Sequence, residues 1–433
     1  MKLTRTRFIK YAALLMAYVM VFLNIPAGTE KGYAKKTVSK KTGSGRTAVK
    51  SSSDIVSVRK CISYDLDEVY AAVKNGLEDT GFKIKQGTSV LLKPNILAQN
   101  TPDQCATTHP AVVDAVCRIF SESRCSITIG ESSAFYQGGG TREGFVTSGI
   151  AAVAEKYSAA LLPFEATRLR RIETGKALNP FYISGAAFSF DLVVNIPKMK
   201  VHRLARYSGA VKNNYGFIPG GTKQVYHKLF QCRSDYKEFW GIPLADVYEA
   251  VRPGLNIMDA VYGLDEDGPA ASGEPKQTGL LLVSDNGAAL DVVACRIMGF
   301  DPQWVPAVRE VLNRGMTDAA KIRIIGEVPS IPYVKLPDEE PKTGLSKKID
   351  DFMFDQFIVE PRLDEDECNK CGVCIQNCAV SAIKSGDEGY PGFIYDKCIY
   401  CYCCSEYCPN KAIYLHGGTV NHIIRAGRYI MKI

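Results

Sequence analysis

Nine of the fifteen cysteines in this 433-residue chain lie between Cys368 and Cys408. The first block reads Cys368-x2-Cys371-x2-Cys374-x3-Cys378, and the second reads Cys398-x2-Cys401-x2-Cys404-x3-Cys408-Pro409. Two-residue gaps let one tight loop aim three thiolates at three corners of a cubane. The fourth cysteine, three residues on, begins a helix that turns away and reaches a second cubane. The doubled spacing therefore predicts two [4Fe-4S] clusters. Cys368, Cys371, Cys374 and Cys408 hold one, and Cys398, Cys401, Cys404 and Cys378 hold the other. Paired Cys-x2-Cys spacing also suits tetrahedral zinc, but eight ligands in two crossed sets fit iron–sulfur better. No Cys-x3-Cys-x2-Cys run occurs, so a radical-SAM site is not supported. Cys403 is a ninth thiol beside a ligand, either a spare packing group or a reactive neighbour. Cys61, Cys105, Cys117, Cys125, Cys232 and Cys295 are scattered singly and read as core fillers. Cysteines confined to one part of a long chain do not make a disulfide scaffold.

Residues 363–415 resemble bacterial-type two-cluster ferredoxins. Ala382-Ile383 and Ala412-Ile413 follow their blocks at matched positions, the mark of an internal duplication. Ala379 departs from the pattern, standing where a proline often follows the fourth cysteine. The resemblance implies one-electron transfer at low potential, with electrons passing between the clusters. The segment holds eight acids and four lysines, a face suited either to a basic redox partner or simply to solvent.

A second set of candidates lies upstream. Lys93-Pro94-Asn95, Glu131-Ser132-Ser133, Asn195 with Lys198, Lys200 and His202, and Asp259 each follow an apolar run suited to a buried strand. In open parallel sheets the ligand crevice lies at the carboxyl ends of strands. Between His202 and Lys228 run Arg203, Arg206, Ser208 to Gly216 with Lys212 and Asn213, then Pro219-Gly220-Gly221 and His227. Glycines permit close backbone approach, and the cations offer charge-assisted hydrogen bonds to carboxylate or phosphate. Lys93, Glu131, Lys200, His202, Lys212 and Asn213 are thus the candidate catalytic or binding residues of an anionic small-molecule pocket. The alternative is a solvated basic loop. His202, between cations, is expected to have a lowered pKa and an open acid–base role. His109, before Pro110, reads as the start of a helix. Gly138-Gly139-Gly140 to Gly144 lacks dinucleotide-fingerprint spacing, and Gly221-Thr222-Lys223 has Thr before Lys, so it is no Walker A loop.

These motifs, with Ala106 to Pro110, Lys198 to His202, Ser208 to Asn213 and Asp259 to Gly273, resemble the domain-of-unknown-function family numbered three-six-two over about residues 55–335. Val201 stands where the family pattern leads one to expect a polar residue. The resemblance implies an architecture, often joined to a ferredoxin module, and leaves the reaction open.

The elements that must position these residues alternate. Strand-like runs are Ser89–Leu92, Ile127–Gly130, Ala160–Phe164, Leu192–Ile196, Leu255–Met258 and Leu280–Val283. Helical patterns occupy Leu66–Leu77, Pro110–Phe120, Ala288–Met298 and Trp304–Leu312. The fold class expected is α/β, a mainly parallel sheet flanked by helices, followed by a small α+β ferredoxin-like two-cluster domain.

The net charge of +7 comes from the first 50 residues, which carry eleven Lys/Arg and one acid and leave 42 Lys/Arg against 45 acids beyond. The basic balance therefore does not describe the body, and no nucleic-acid partner is expected. Lys2, Arg5, Arg7 and Lys10 precede an apolar run, Tyr11 to Leu23, and residues 11–29 are uncharged. Three readings fit: a cleaved signal, a short membrane anchor making membrane contact through residues 11–29, or an extension upstream of the true start. An anchor would hold the body on the cytoplasmic side, since more cations follow the apolar run than precede it. A signal would export it, and a chain without either is cytoplasmic. The domains expected are 1–53 (leader and basic linker), 54–335 (α/β), 336–362 (linker), 363–415 (ferredoxin) and 416–433 (tail). An electron exchange between the ferredoxin module and the α/β domain fits the whole, with a redox partner protein. The alternative is a carrier or adaptor whose α/β domain only recognises a partner. Whether the chain is an enzyme stays open.

Overall fold

The computed structural model describes residues 54–133, 140–231, 233, 235–266, 273–335, 359–386 and 388–417, with the side chains of Lys228 and Gln231 excepted. The leader, Cys232, most of the 336–362 linker and the tail beyond 417 lie outside the described residues. Among the described residues no helix is long and apolar enough to cross a membrane.

Among the described residues twelve strands belong to the α/β part: β1 (Ile55–Lys60), β2 (Ser89–Pro94), β3 (Ser126–Glu131), β4 (Ala160–Pro163), β5 (Leu169–Ile172), β6 (Phe181–Ser184), β7 (Leu192–Ile196), β8 (Lys198–His202), β9 (Arg206–Ser208), β10 (Leu255–Glu266), β11 (Gly273–Ser284) and β12 (Arg323–Ile325). The main sheet runs β12-β1-β11-β10-β7-β2-β3-β4, with β8 beside β10 and β9 beside β8. Pairings β12–β1, β10–β7, β10–β8, β7–β2, β2–β3 and β3–β4 are parallel. Only β1–β11, β10–β11 and β8–β9 run antiparallel within it. The sheet is therefore mainly parallel, as expected.

Side-chain alternation assigns its faces. Val90 and Leu92, Val194 and Ile196, and Leu255 and Ile257 pack with the helices Leu66–Thr80 and Pro110–Glu122. Leu91 and Val193 point the other way, against the helices Gly241–Val251 and Pro306–Asn313. Met258, Ala260, Leu280 and Leu282 share that second side with the helix Gly287–Ile297. Both faces are covered, which is why these strands read as apolar runs.

Three expectations need correction. Residues 198–202 follow β7 but form a strand of their own, β8, rather than a loop. Asp259 lies inside β10. Lys93 and Pro94 are the last residues of β2 itself. Pro197 accounts for the first: it has no N–H to give, so the chain breaks pairing for one residue between β7 and β8, while its carbonyl still accepts from Asp259 N at 2.9 Å.

The C-terminal part contains β13 (Glu360–Leu363), β14 (Ile383–Ser385), β15 (Pro391–Phe393) and β16 (Ile413–His416). β13 pairs with β16 and β14 with β15, both antiparallel. β13 thus starts three residues before the expected domain edge at 363.

Candidate functional site

The cysteine blocks are folded as a duplication offset by thirty residues. Left-handed backbone occurs at Lys370, Gly372 and Ser381, and again at Tyr400, Tyr402 and Lys411. These turns wrap the chain around each block. Two matched N–H groups, Lys370 N and Tyr400 N, point at Cys368 Sγ and Cys398 Sγ at 3.4 Å. Ala382 N donates to Cys378 Sγ at 3.1 Å. Such donors favour thiolate over thiol.

Cys368, Cys371, Cys374 and Cys408 line one cavity. Cys378 lies instead near Cys398 and Cys404, whose thiols it holds up together with burial, the larger cause. Among the described residues no three His, Cys, Asp or Glu side chains converge on a single-ion point. Thiolates spread around a cavity suit a polynuclear group better than one tetrahedral ion.

Upstream, the strand ends gather Lys93, Glu131, Lys200, His202, Lys212 and Asn213 as the sequence analysis groups them, but not as an open basic pocket. Lys93 Nζ pairs with Glu131 Oε2 at 2.7 Å, both side chains buried. Gly216 lies directly over this pair, where a Cβ would come 2.7 Å from Lys93 Nζ. Lys200 Nζ donates to Asn95 Oδ1 at 2.7 Å and Ala106 O at 2.6 Å. Lys198 Nζ pairs with Asp259 Oδ2 at 2.9 Å and reaches Tyr64 OH at 2.7 Å. Asn213 Nδ2 donates to Asn195 Oδ1 at 2.7 Å. Lys93 and Lys200 are buried and committed to internal partners rather than held out to a ligand, while Arg203 is exposed and Lys212, Lys223 and His227 are half-buried.

Lys212 differs. It sits on the short helix Ala210–Asn213, half-buried, and its side chain makes no hydrogen bond or ion pair among the described residues. Burial, then Lys223 and Lys93, lower its pKa to about 8. Lys223 is also lowered to about 8, by burial against the pull of Glu165 and Glu131. Burial, then Lys212 and Lys200, push His202 well below its ordinary value. Its Nδ1 accepts from Leu204 N at 3.1 Å and Ala205 N at 3.2 Å, so the neutral ring carries its proton on Nε2. His109 Nδ1 caps the helix Pro110–Glu122 by accepting from Ala111 N at 3.1 Å, the role its position predicts.

Sequence reasoning missed Glu165, and gave Lys223 no role beyond excluding a Walker loop. Glu165 is buried just past β4; it accepts from Gly220 N and Thr141 Oγ1, each at 3.1 Å, and from Ser132 Oγ. Burial raises its pKa. Lys223 Nζ donates to Ser132 Oγ at 2.8 Å and to the Ser132 carbonyl. The strand-end rule applied to Pro163-Phe164-Glu165 was the available signal.

The two parts meet here. Gly220 has φ +58°, and a Cβ there would come 2.7 Å from the Tyr402 ring and 2.8 Å from Cys401 O. Thr222 Oγ1 donates to Ile399 O at 2.6 Å. The ninth cysteine, Cys403, is buried with Sγ 3.7 Å from Thr167 O. Arg142 and Glu406 pair at 2.9 Å on the outside. The second cysteine loop is therefore seated on Gly220-Gly221-Thr222, and the next residue is Lys223.

The domain of unknown function DUF362 matches residues 90–296, and the 4Fe-4S binding domain matches residues 391–414. A thylakoid-associated protein of Synechocystis is 30% identical over 268 residues, covering 61% of this chain and 81% of that protein. A ferredoxin of Pyrobaculum islandicum is 35% identical over 51 residues, 12% of this chain and 48% of the ferredoxin. Among solved structures, the lactate racemase apoprotein from Thermoanaerobacterium thermosaccharolyticum superposes with a TM-score of 0.36 at 16% identity over 55% of each chain. A Thermotoga maritima protein gives 0.35 at 13% identity, over 54% of this chain and 58% of that one. The chain thus spans about half the length of this ferredoxin and of these two structures.

Proposed function

This chain belongs to the DUF362 family and joins it to a 4Fe-4S binding domain, and from that premise we propose a two-cluster redox protein that exchanges single electrons with the strand-end site of its α/β domain. The supporting observation is the seating of the Cys401-Tyr402 loop on Gly220-Gly221, one residue from Thr222-Lys223. Cys368, Cys371, Cys374 and Cys408 would hold one cluster, and Cys398, Cys401, Cys404 and Cys378 the other. When bound, such groups supply one-electron transfer.

The chain's own residues do the rest. Gly220 and Gly221, lacking side chains, let the cysteine loop approach the strand ends closely. Lys93, Lys200, Lys212 and Lys223 outnumber Glu131 and Glu165, so the site favours an anionic occupant and opposes the build-up of negative charge on reduction less than a neutral site would. Exposed Cys371, with the exposed acids Asp364 to Glu367 close in sequence, supports a redox partner protein of basic surface.

Oxygen-free preparations should contain about eight irons and eight sulfides per chain, and dithionite should give paramagnetic signals of two interacting clusters. Four irons would reject the two-cluster reading. Screening small carboxylates and phosphates for reoxidation of the reduced protein tests the α/β role. No substrate-dependent reoxidation would favour a carrier whose α/β domain serves recognition.

A further inference from the structure

The lysines of the strand-end site are not equivalent. Lys93 holds Glu131, Lys200 holds Asn95 and Ala106 O, Lys198 holds Asp259 and Tyr64, and Lys223 holds Ser132 and Ser133 O. Lys212 alone among these five has no partner among the described residues. Its helix is nevertheless rigidly fixed. Asp291 accepts from Ala210 N at 2.7 Å and Val211 N at 2.8 Å, and Asn213 is tied to Asn195. A positioned, half-buried amine with nothing to bind is an unspent functional group.

The surroundings define what it suits. Lys223 and His227 on the helix Thr222–Gln231, Lys93 on β2, Glu131 on β3 and Lys200 with His202 on β8 all act on it or are acted on by it. Cations exceed carboxylates, which favours an anionic partner. Neutral His202 presents Nε2–H, a donor for a carbonyl or hydroxyl oxygen. Trp240, its ring tilted against His227 with centroids 4.3 Å apart, has a buried Nε1–H without a partner among the described residues, a further donor in the same region.

We infer that Lys212 is a nucleophilic amine that condenses with the carbonyl carbon of a small oxo acid, an assignment that rests on the strand-end reading above. The amine lone pair forms a C–N bond while the C=O π pair moves to oxygen, which takes up a proton. The nitrogen loses one proton, the hydroxyl takes up a second proton, and the C–O bond breaks so that water leaves as the nitrogen lone pair closes the C=N bond, the iminium then giving its remaining N–H proton to solvent. Amine plus carbonyl gives imine plus water, with no oxidant or reductant. The lowered pKa supports this, since an amine at about 8 holds on the order of 100-fold more of its neutral form near pH 7 than an ordinary lysine.

The test uses the intact, cluster-loaded protein with pyruvate and cyanoborohydride, followed by peptide mass spectrometry. The reduced adduct is expected on Lys212 at roughly tenfold or more the level on exposed Lys321, increasing as pH rises through about 8. Lys212→Arg keeps the charge and should lose the adduct while retaining cluster absorbance. Labelling spread over surface lysines without preference for Lys212, or undiminished at the site in Lys212→Arg, overturns the assignment. The wild-type peptide map decides the matter even if the variant fails to fold. Iron and sulfide on the same sample separate the two claims. Full clusters with no Lys212 adduct reject the amine alone, whereas an adduct on protein lacking clusters supports the amine and rejects the redox reading.

Discussion

At the scale of residues, the Lys93–Glu131 pair carries the largest electrostatic stake. Removing water from two charges costs several kcal/mol each, and their contact in low dielectric only offsets that when both are present. Glu131→Gln is therefore expected to destabilise the protein by about 3–5 kcal/mol, because it strands a buried ammonium. Adding Lys93→Met should recover most of the loss. Urea denaturation of both variants checks this, and a double variant no better than the single would deny the coupling. Lys212 and Lys223 make a separate claim on pH. Each is lowered in the folded state to about 8, against ~10.4 in an open chain. Between those values the unfolded chain binds more protons, so stability rises as pH goes from about 8 toward ~10 and is flat below. Lys212→Met with Lys223→Met should abolish that rise in denaturation midpoints. None of these pairings is written in the sequence. The residue types at strand ends are legible, but Glu131 lies 38 positions from Lys93, and nothing local distinguishes a committed lysine from an unspent one.

At the scale of elements, what the sequence discloses depends on whether a strand buries apolar groups on both faces. Ser89–Leu92, Ile127–Gly130 and Leu192–Ile196 do, and they are legible as runs. β8 is not, since Lys198, Lys200 and His202 carry its polar chemistry into the interior and Pro197 imitates a stop. β10 and β11, each of twelve residues, extend past their apolar stretches through polar positions such as Asp259 and Gln277. The cysteine duplication is fully legible in spacing, whereas the left-handed turns at Lys370, Tyr400 and Tyr402 are not, because those residue types do not advertise φ > 0. Asp291 shows an element depending on one distant side chain. It anchors the start of Ala210–Asn213 and also accepts from Tyr207 OH at 2.9 Å. Asp291→Ala leaves three buried donors unmet and should cost about 3 kcal/mol or more, each unmet group being worth 1–3. Hydrogen exchange should report the loosening first at Ala210 and Val211, ahead of β2; unchanged protection there would show that the turn stands without its anchor.

At the scale of the whole molecule, the question is what holds the cysteine module against the strand ends. Among the described residues Arg142–Glu406 is the ion pair across this contact, but Arg142 is 60% exposed and Glu406 25%, so it contributes only about 0–1 kcal/mol and is screened by salt. Tyr402, nearly fully buried beside Gly220 and Gly221, removes far more apolar surface from water and tolerates no added atom. The two contributions predict opposite outcomes for two single changes. Arg142→Ala should leave exchange rates at 399–403 and 220–224 within about twofold of the parent, in keeping with a pair worth well under 1 kcal/mol. Gly220→Val introduces a Cβ branch at φ +58° and 2.8 Å from Cys401 O, and should raise exchange in both segments by roughly tenfold or more, equal to about 1.4 kcal/mol of local opening. Iron content should stay the same in both, since Gly220 supplies no ligand. If reoxidation of the reduced protein by an added acid slows in Gly220→Val but not in Arg142→Ala, the contact at Tyr402 is the route between the two parts. Equal rates in both would mean that the α/β domain and the clusters work independently, however closely they are packed.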